Sequence, residues 1–107
     1  MAAEIPASNM HATARALADI IHPLANGGVD TRGARTIDSK VVAAALKMRI
    51  SGDDLVLPFH LVWSAGLMIN TNGHFGPSLS AFGHPGFGGA AAMIDPAKKV
   101  SAAYVMN

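Results

Sequence analysis

The chain has 107 residues, about the size of one ordinary domain, so two independently folding cores are excluded. Its net charge is only +1 and its basic residues are scattered, so the sequence lacks the basic patch expected of a nucleic-acid-binding protein. The lack of cysteine excludes disulfides and thiolate metal sites. Only 14% of residues are charged, against about 25% in typical globular proteins. That composition fits either a compact alanine-rich domain or a surface partly covered in a larger protein.

The first half of the chain predicts two helices. Ser8 is a suitable N-cap for a helix over 9–26, and Gly27 and Gly28 are expected to end it. Its apolar stripe falls at helical spacing on Ala14, Leu17, Ile21 and Leu24. Asp38 is expected to cap a second helix, which ends at the segment SGDD, 51–54. Its expected inward residues are Val41, Val42, Ala45, Leu46 and Met48, with Lys47 and Arg49 near the negative end of the helix dipole.

The second half predicts antiparallel strands. Aromatic and branched residues favour one strand over 61–69. A short segment at 79–84 is followed by a strand over 89–94, a turn at 95–99 and a last strand over 100–106. The predicted fold class is therefore α+β, with two N-terminal helices and a three- to four-stranded antiparallel sheet that ends in a hairpin. Residues 1–107 are expected to form one domain or part of one.

Membrane and targeting signals are not expected in this sequence. No apolar run approaches the roughly 20 residues that cross a bilayer, so we expect no membrane partner. The start MAAEIPAS has neither the basic region nor the apolar core of a signal peptide. If Met1 is the true start, a cytoplasmic protein is the default expectation.

The stretch FGHPGFGG, 82–89, places a histidine among glycines and is compatible with three kinds of site. A phosphate-binding loop needs a helix directly after the glycines, and the Asp95-Pro96 turn comes too soon for one. A metal site is not favoured, because the five histidines form neither a His-x-His nor a His-x-x-x-His pair. They are His11, His22, His60, His74 and His84. We therefore expect no metal and no other cofactor.

A serine triad and an exposed strand are the remaining interpretations of this stretch. A triad of Ser64, His84 and Asp95 is disfavoured, because the sequence has no Gly-x-Ser-x-Gly elbow. An edge strand beginning near His84 would present unpaired amides, and glycines would let a substrate approach the backbone. Pro85 fits such a strand because it has no amide to donate. An amide at this edge can bind an oxyanion, but the nucleophile must come from elsewhere.

Three segments together resemble the C-terminal part of the serine beta-lactamase-like hydrolases, which include class C beta-lactamases, esterases and relatives of penicillin-binding proteins. They are IPASNMHATARALADIIHPLANGG, LVWSAGLMIN and FGHPGFGGAAAMIDPAKKVSAAYVMN, and the resemblance spans residues 5–107. It implies a partial beta-lactamase/transpeptidase-like fold and no cofactor. The substrate it implies for the complete protein is a small-molecule ester, amide or beta-lactam.

The resemblance also implies site residues. His84 takes the first position of the family's third motif, Lys-Thr-Gly or His-x-Gly, and Gly86 takes its glycine. Phe87 follows, where the family's backbone amide serves the oxyanion hole. Pro85 departs from the lactamase threonine, which favours an esterase-like hydrolase.

The family's nucleophile motif is missing from these residues. No serine has a lysine three positions later, so there is no Ser-x-x-Lys, and the second motif, Tyr-x-Asn, also has no match. We expect a C-terminal portion of a serine hydrolase that is inactive by itself. The alternative is a noncatalytic module that pairs with a partner, or with itself, through its exposed sheet.

Overall fold

The computed structural model describes residues 10–106. Helices α1 (Ala14–Ala25) and α2 (Ser39–Ala45) precede a sheet whose six strands are antiparallel and adjacent in chain order. The strands are β1 (Ile50–Asp53), β2 (His60–Trp63), β3 (Met68–Ile69), β4 (Phe82–Pro85), β5 (Ala91–Asp95) and β6 (Val100–Tyr104). The α+β prediction is confirmed, although the sheet has six strands rather than three or four. No helix within 10–106 is long and apolar enough to span a membrane.

Helix α1 begins later than the sequence predicted. Thr13 is its N-cap, and the Thr13 hydroxyl accepts a hydrogen bond of 3.1 Å from the Ala16 amide. Residues 10–12 are not helical, so the predicted start at Asn9 is wrong at least for these three, whereas Ser8 and Asn9 lie outside the described residues. The predicted end is confirmed. Gly28 donates its amide to Pro23 O at 2.7 Å with a φ of +95°, a conformation that favours glycine.

Helix α2 confirms its predicted cap but only part of its predicted inner face. Asp38 accepts a hydrogen bond of 2.7 Å from the Lys40 amide. Val42 is buried, whereas Val41 and Met48, also predicted to face inward, are exposed. Ala45 and Leu46 are half-buried. The helix ends at Ala45, earlier than the predicted end at SGDD, so Met48 lies beyond its end. Arg49 donates to Ala44 O at 2.8 Å, as expected for a basic residue near a helix C-terminus.

The predicted strand over 61–69 is a hairpin of two short strands. Ser64 donates its amide to Leu67 O at 2.8 Å, and Gly66 takes a φ of +90° in the turn between β2 and β3. The sequence prediction was wrong here because the turn between β2 and β3 is itself mostly apolar, so the apolar run continues through it without a turn signal. Strand β1 was also missed, since its sequence ISGD is mostly polar and was assigned to the end of α2.

The sheet is covered differently on its two sides. In the register of β4 to β6, Ile94 and Ser101 lie opposite one another, and α1 packs on this region. A hydrogen bond of 3.1 Å between His22 Nδ1 and Ser101 Oγ ties the helix to β6. On the other side Phe75 packs so closely on β4 that a Cβ at Gly83 would lie 2.7 Å from its ring. The buried cluster on this side consists of Leu61, Met68, Phe75 and Ala81, with Trp63 and Met93 packed against it.

The loop between β3 and β4 is held by one buried amide side chain. Asn70 is only 1% exposed and donates to Gly76 O at 2.7 Å and to Ser78 O at 2.9 Å. Its oxygen accepts a bond of 2.9 Å from the Phe75 amide. Asn70 therefore satisfies the backbone groups of the loop and fixes Phe75 against the strand that carries the candidate site.

Candidate active site

The candidate site lies where β4 extends beyond its neighbour β3. Strand β4 pairs with β5 along its whole length, but with β3 only at Phe82 and Gly83. The prediction of an edge strand is therefore wrong for β4 as a whole, because it is the fourth of six strands. The half that carries His84 and Pro85 has no register partner on β3, since β3 has only two residues. This half of β4 is the part of the strand with edge character.

His84 is exposed and held from two sides. Its Nδ1 lies 2.8 Å from Pro85 O. Because a carbonyl can only accept, this bond places the proton of a neutral His84 on Nδ1 and leaves Nε2 as an acceptor. The Trp63 ring lies with its centroid 5.6 Å from that of His84, at an interplanar angle of 45°. Trp63 thus connects the core cluster to the rim of the site.

A tight turn follows β4 and presents the Phe87 amide. Gly86 donates its amide to Ala90 O at 2.6 Å, and Gly89 donates to Gly86 O at 2.9 Å. Phe87 lies between these bonds, with its side chain fully exposed. Within residues 10–106, the Phe87 amide has no hydrogen-bond acceptor. A free backbone N–H at the end of a strand is the kind of donor that an oxyanion hole uses.

Within residues 10–106, Ser64, His84 and Asp95 are hydrogen-bonded to other groups rather than to one another, in line with the sequence argument against a triad. The Ser64 hydroxyl donates to Leu67 O at 3.0 Å and is buried in its turn. Asp95 accepts a bond of 2.7 Å from the Ser80 hydroxyl, whereas the His84 ring is bonded to Pro85 O. His84, Gly86 and Phe87, in contrast, share one strand and the turn that follows it.

Comparison with known proteins identifies the family. The family model described as beta-lactamase matches residues 1–107. The chain belongs to the beta-lactamase family. The resemblance predicted from the sequence is confirmed.

The relatives of this beta-lactamase-family chain include esterases and a penicillin-binding-protein homologue. It is 37% identical to the esterase/beta-lactamase LipL of Mycobacterium tuberculosis, over 98% of this chain and 24% of that protein. A novel penicillin-binding protein homologue from Caulobacter crescentus is 47% identical with a TM-score of 0.83, over 90% of this chain and 26% of that one. A family VIII carboxylesterase is 33% identical with a TM-score of 0.82, over 89% of this chain and 26% of that one. The chain therefore spans about a quarter of the length of these relatives.

The sequence interpretation missed the neighbour of His84. Trp63 packs against the core cluster, and its ring also borders the candidate site. No local pattern links residues 63 and 84, because the contact depends on the β2–β3 hairpin, which the sequence did not predict.

Proposed function

We propose that this chain supplies the oxyanion-hole side of the active site of an esterase-like serine hydrolase. The observation that carries the proposal is the Phe87 amide, which follows the half-unpaired strand β4 and has no hydrogen-bond acceptor within residues 10–106. When a serine attacks a carbonyl carbon, negative charge develops on the carbonyl oxygen. The Phe87 N–H would donate to that oxygen, together with the amide of the serine itself.

His84 and Gly86 have supporting roles in this proposal. His84 presents Nε2 at the rim, where it accepts a hydrogen bond from the substrate or from the proton-transfer network. The Trp63 ring restricts the orientation of His84. Gly86 carries no side chain beside the turn, so a planar acyl group reaches the Phe87 amide without obstruction.

The nucleophile is proposed to lie in sequence outside these 107 residues, which contain no Ser-x-x-Lys. The substrate is proposed to be a small carboxylic ester rather than a beta-lactam, because Pro85 offers no hydroxyl at the position of the lactamase threonine. The names of LipL and of the family VIII carboxylesterase support ester hydrolysis in this family.

Complementation tests this proposal. The chain alone is expected to release no more than one equivalent of nitrophenol from nitrophenyl butyrate. Placed in LipL instead of the matching segment, it is expected to support repeated turnover that a serine-directed phosphonate abolishes. Repeated turnover by the isolated chain would contradict the proposal, and so would a folded LipL chimera that bound the phosphonate at its Ser-x-x-Lys but hydrolysed no ester.

The second candidate is the noncatalytic pairing module. It is favoured by the outer edges of β1 and β6, neither of which has a partner strand within residues 10–106. The folded but inactive chimera would support this candidate instead.

A further inference from the structure

The β1–β2 hairpin carries a continuous chain of side-chain hydrogen bonds at the sheet edge, two strands from β4. Ser51 Oγ lies 3.0 Å from His60 Nε2. His60 Nδ1 lies 3.1 Å from Asp53 Oδ1. These are the distances of a serine, a histidine base and a carboxylate that orients the base.

The strand register explains why the three residues meet. Asp53 is directly opposite His60 in the antiparallel pair, and Ser51 lies two residues before Asp53. Residues two apart point to the same side of a strand, and diagonal neighbours across a pair are within reach of a long side chain. His60 therefore contacts both residues from the neighbouring strand.

The bond to Asp53 determines which His60 nitrogen is free to act as a base. A carboxylate only accepts hydrogen bonds, so the proton of a neutral His60 lies on Nδ1, facing Asp53. Nε2 then accepts the Ser51 hydroxyl proton. This is the tautomer that a histidine needs in order to activate a serine.

We propose that Ser51 is a reactive serine that is acylated once by activated aryl esters and phosphonylated by fluorophosphonates. Ser51 Oγ bonds to the carbonyl carbon while its proton passes to His60 Nε2. The carbon–oxygen bond to the aryloxide then breaks, and His60 returns the proton to the aryloxide, which leaves acyl-Ser51 and a phenol. With a fluorophosphonate, the Ser51 oxygen bonds to phosphorus while its proton passes to His60 Nε2; the phosphorus–fluorine bond then breaks, fluoride leaves, and His60 releases the proton to solvent.

Solvent exposure and the neighbouring loop determine the rate at which Ser51 is acylated and the ester that it prefers. The side chains of His60 and Asp53 are 57% and 92% exposed, so water weakens their electrostatic coupling. The activation is therefore roughly tenfold, below the 10²–10⁴ typical of general bases in active sites. Leu55, Val56 and Phe59 are exposed in the loop that joins Asp53 to His60, which favours an apolar aryl leaving group.

A second serine beside a histidine, Ser101 next to His22, serves as a matched control for Ser51. Ser101 Oγ lies 3.1 Å from His22 Nδ1, and within residues 10–106 no carboxylate is hydrogen-bonded to His22. Ser101 is also half-buried, on β6 next to α1. It therefore has a histidine neighbour but no carboxylate to orient that histidine, and we expect it to remain unmodified.

The test is site mapping by mass spectrometry after the 107-residue chain has reacted with nitrophenyl acetate or an alkyl fluorophosphonate. We expect one modification, at Ser51, which Ser51→Ala abolishes and Ser101→Ala leaves unchanged. His60→Gln is expected to slow it about tenfold. Asp53→Asn keeps an acceptor for Nδ1–H but loses the charge, so a smaller decrease of about threefold is expected. Thermal melts of each variant establish that it is folded.

Several results would overturn the proposal. They are modification spread evenly over the exposed serines, an unchanged labelling rate in folded His60→Gln, or equal labelling of Ser101. The proposal does not depend on the proposed function. Ser51 is not part of a Ser-x-x-Lys motif, so its labelling leaves the location of the esterase nucleophile untested.

Discussion

Gly83 illustrates how single residues position the candidate site. A Cβ at this position would lie 2.7 Å from both the Phe75 ring and the Ala92 carbonyl oxygen, and that oxygen belongs to the paired strand. Gly83→Ala is therefore expected to lower the free energy of unfolding by about 1–3 kcal/mol through overpacking. Urea denaturation measures the change. Gly52→Ala in β1 is the control, because nothing lies within 4 Å of its added Cβ. Equal stability of the two variants would contradict the packing of Phe75 on β4.

Asp95 is expected to make the free energy of unfolding depend on pH in the acid range. It is buried, and the hydrogen bond from Ser80 is the main cause that lowers the pKa of Asp95, with further contributions from Ser78, Lys98 and Ala97. A lowered folded pKa stabilises the protein above the ordinary aspartate value of about 4. This contribution is lost as the pH falls from there towards the folded pKa. In urea titrations between pH 7 and pH 3, Asp95→Asn should reduce the slope of the free energy of unfolding against pH. Identical slopes for the variant and the unmodified chain would refute this role of Asp95.

At the scale of secondary-structure elements, Thr13 determines where α1 begins. Thr13→Ala removes the acceptor for the Ala16 amide and is expected to cost about 1 kcal/mol. Thr13→Ser keeps the hydroxyl and should retain most of the stability. Thermal melts followed by circular dichroism compare the two variants. If they melt together, the helix is not capped at Thr13.

The elements that the sequence predicted best have strong local signals. Asp38 caps α2 and the paired glycines end α1, because side-chain capping and positive φ are properties of single residues. The hairpin of β5 and β6 follows from two mostly apolar segments on either side of the turn at 95–99. The strands that were misassigned, β1 to β3, are short and depend on pairing across the sheet, which no local pattern reveals.

The same distinction applies to the candidate site. His84, Gly86 and Phe87 are close in sequence, so a local motif could identify them. Their roles remain predictions. The contact of Trp63 with His84 and the Ser51–His60–Asp53 chain depend on the β2–β3 turn and the β1–β2 register. Neither could be predicted without those strands.

At the scale of the whole molecule, residues 10–106 expose many large apolar side chains. Leu55 and Phe87 are fully exposed, and Leu79 is 77% exposed. Together with the open edges of β1 and β6, this predicts poor solubility and self-association that increases with concentration. Sedimentation velocity over a range of concentrations measures it. A single monomeric species that melts cooperatively at all concentrations would contradict the expectation.

The turn at 86–89 allows the Phe87 amide to be removed without disturbing the fold. Phe87 is the second residue of the turn closed by the Gly89-to-Gly86 bond, a position where proline is favoured. Phe87→Pro therefore deletes the N–H, whereas Phe87→Ala keeps it and removes only an exposed ring. Equal melting temperatures of the two variants in the 107-residue chain establish that the turn is retained.

The most direct test of the oxyanion-hole assignment is kcat for nitrophenyl butyrate with these two variants, in the LipL chimera that carries this chain. Phe87→Ala is expected to keep kcat within about threefold of the unmodified chimera. Phe87→Pro is expected to lower kcat by about 10²–10³, the usual cost of one oxyanion-hole donor. Equal kcat values for two folded variants would show that the Phe87 amide does not stabilise the transition state.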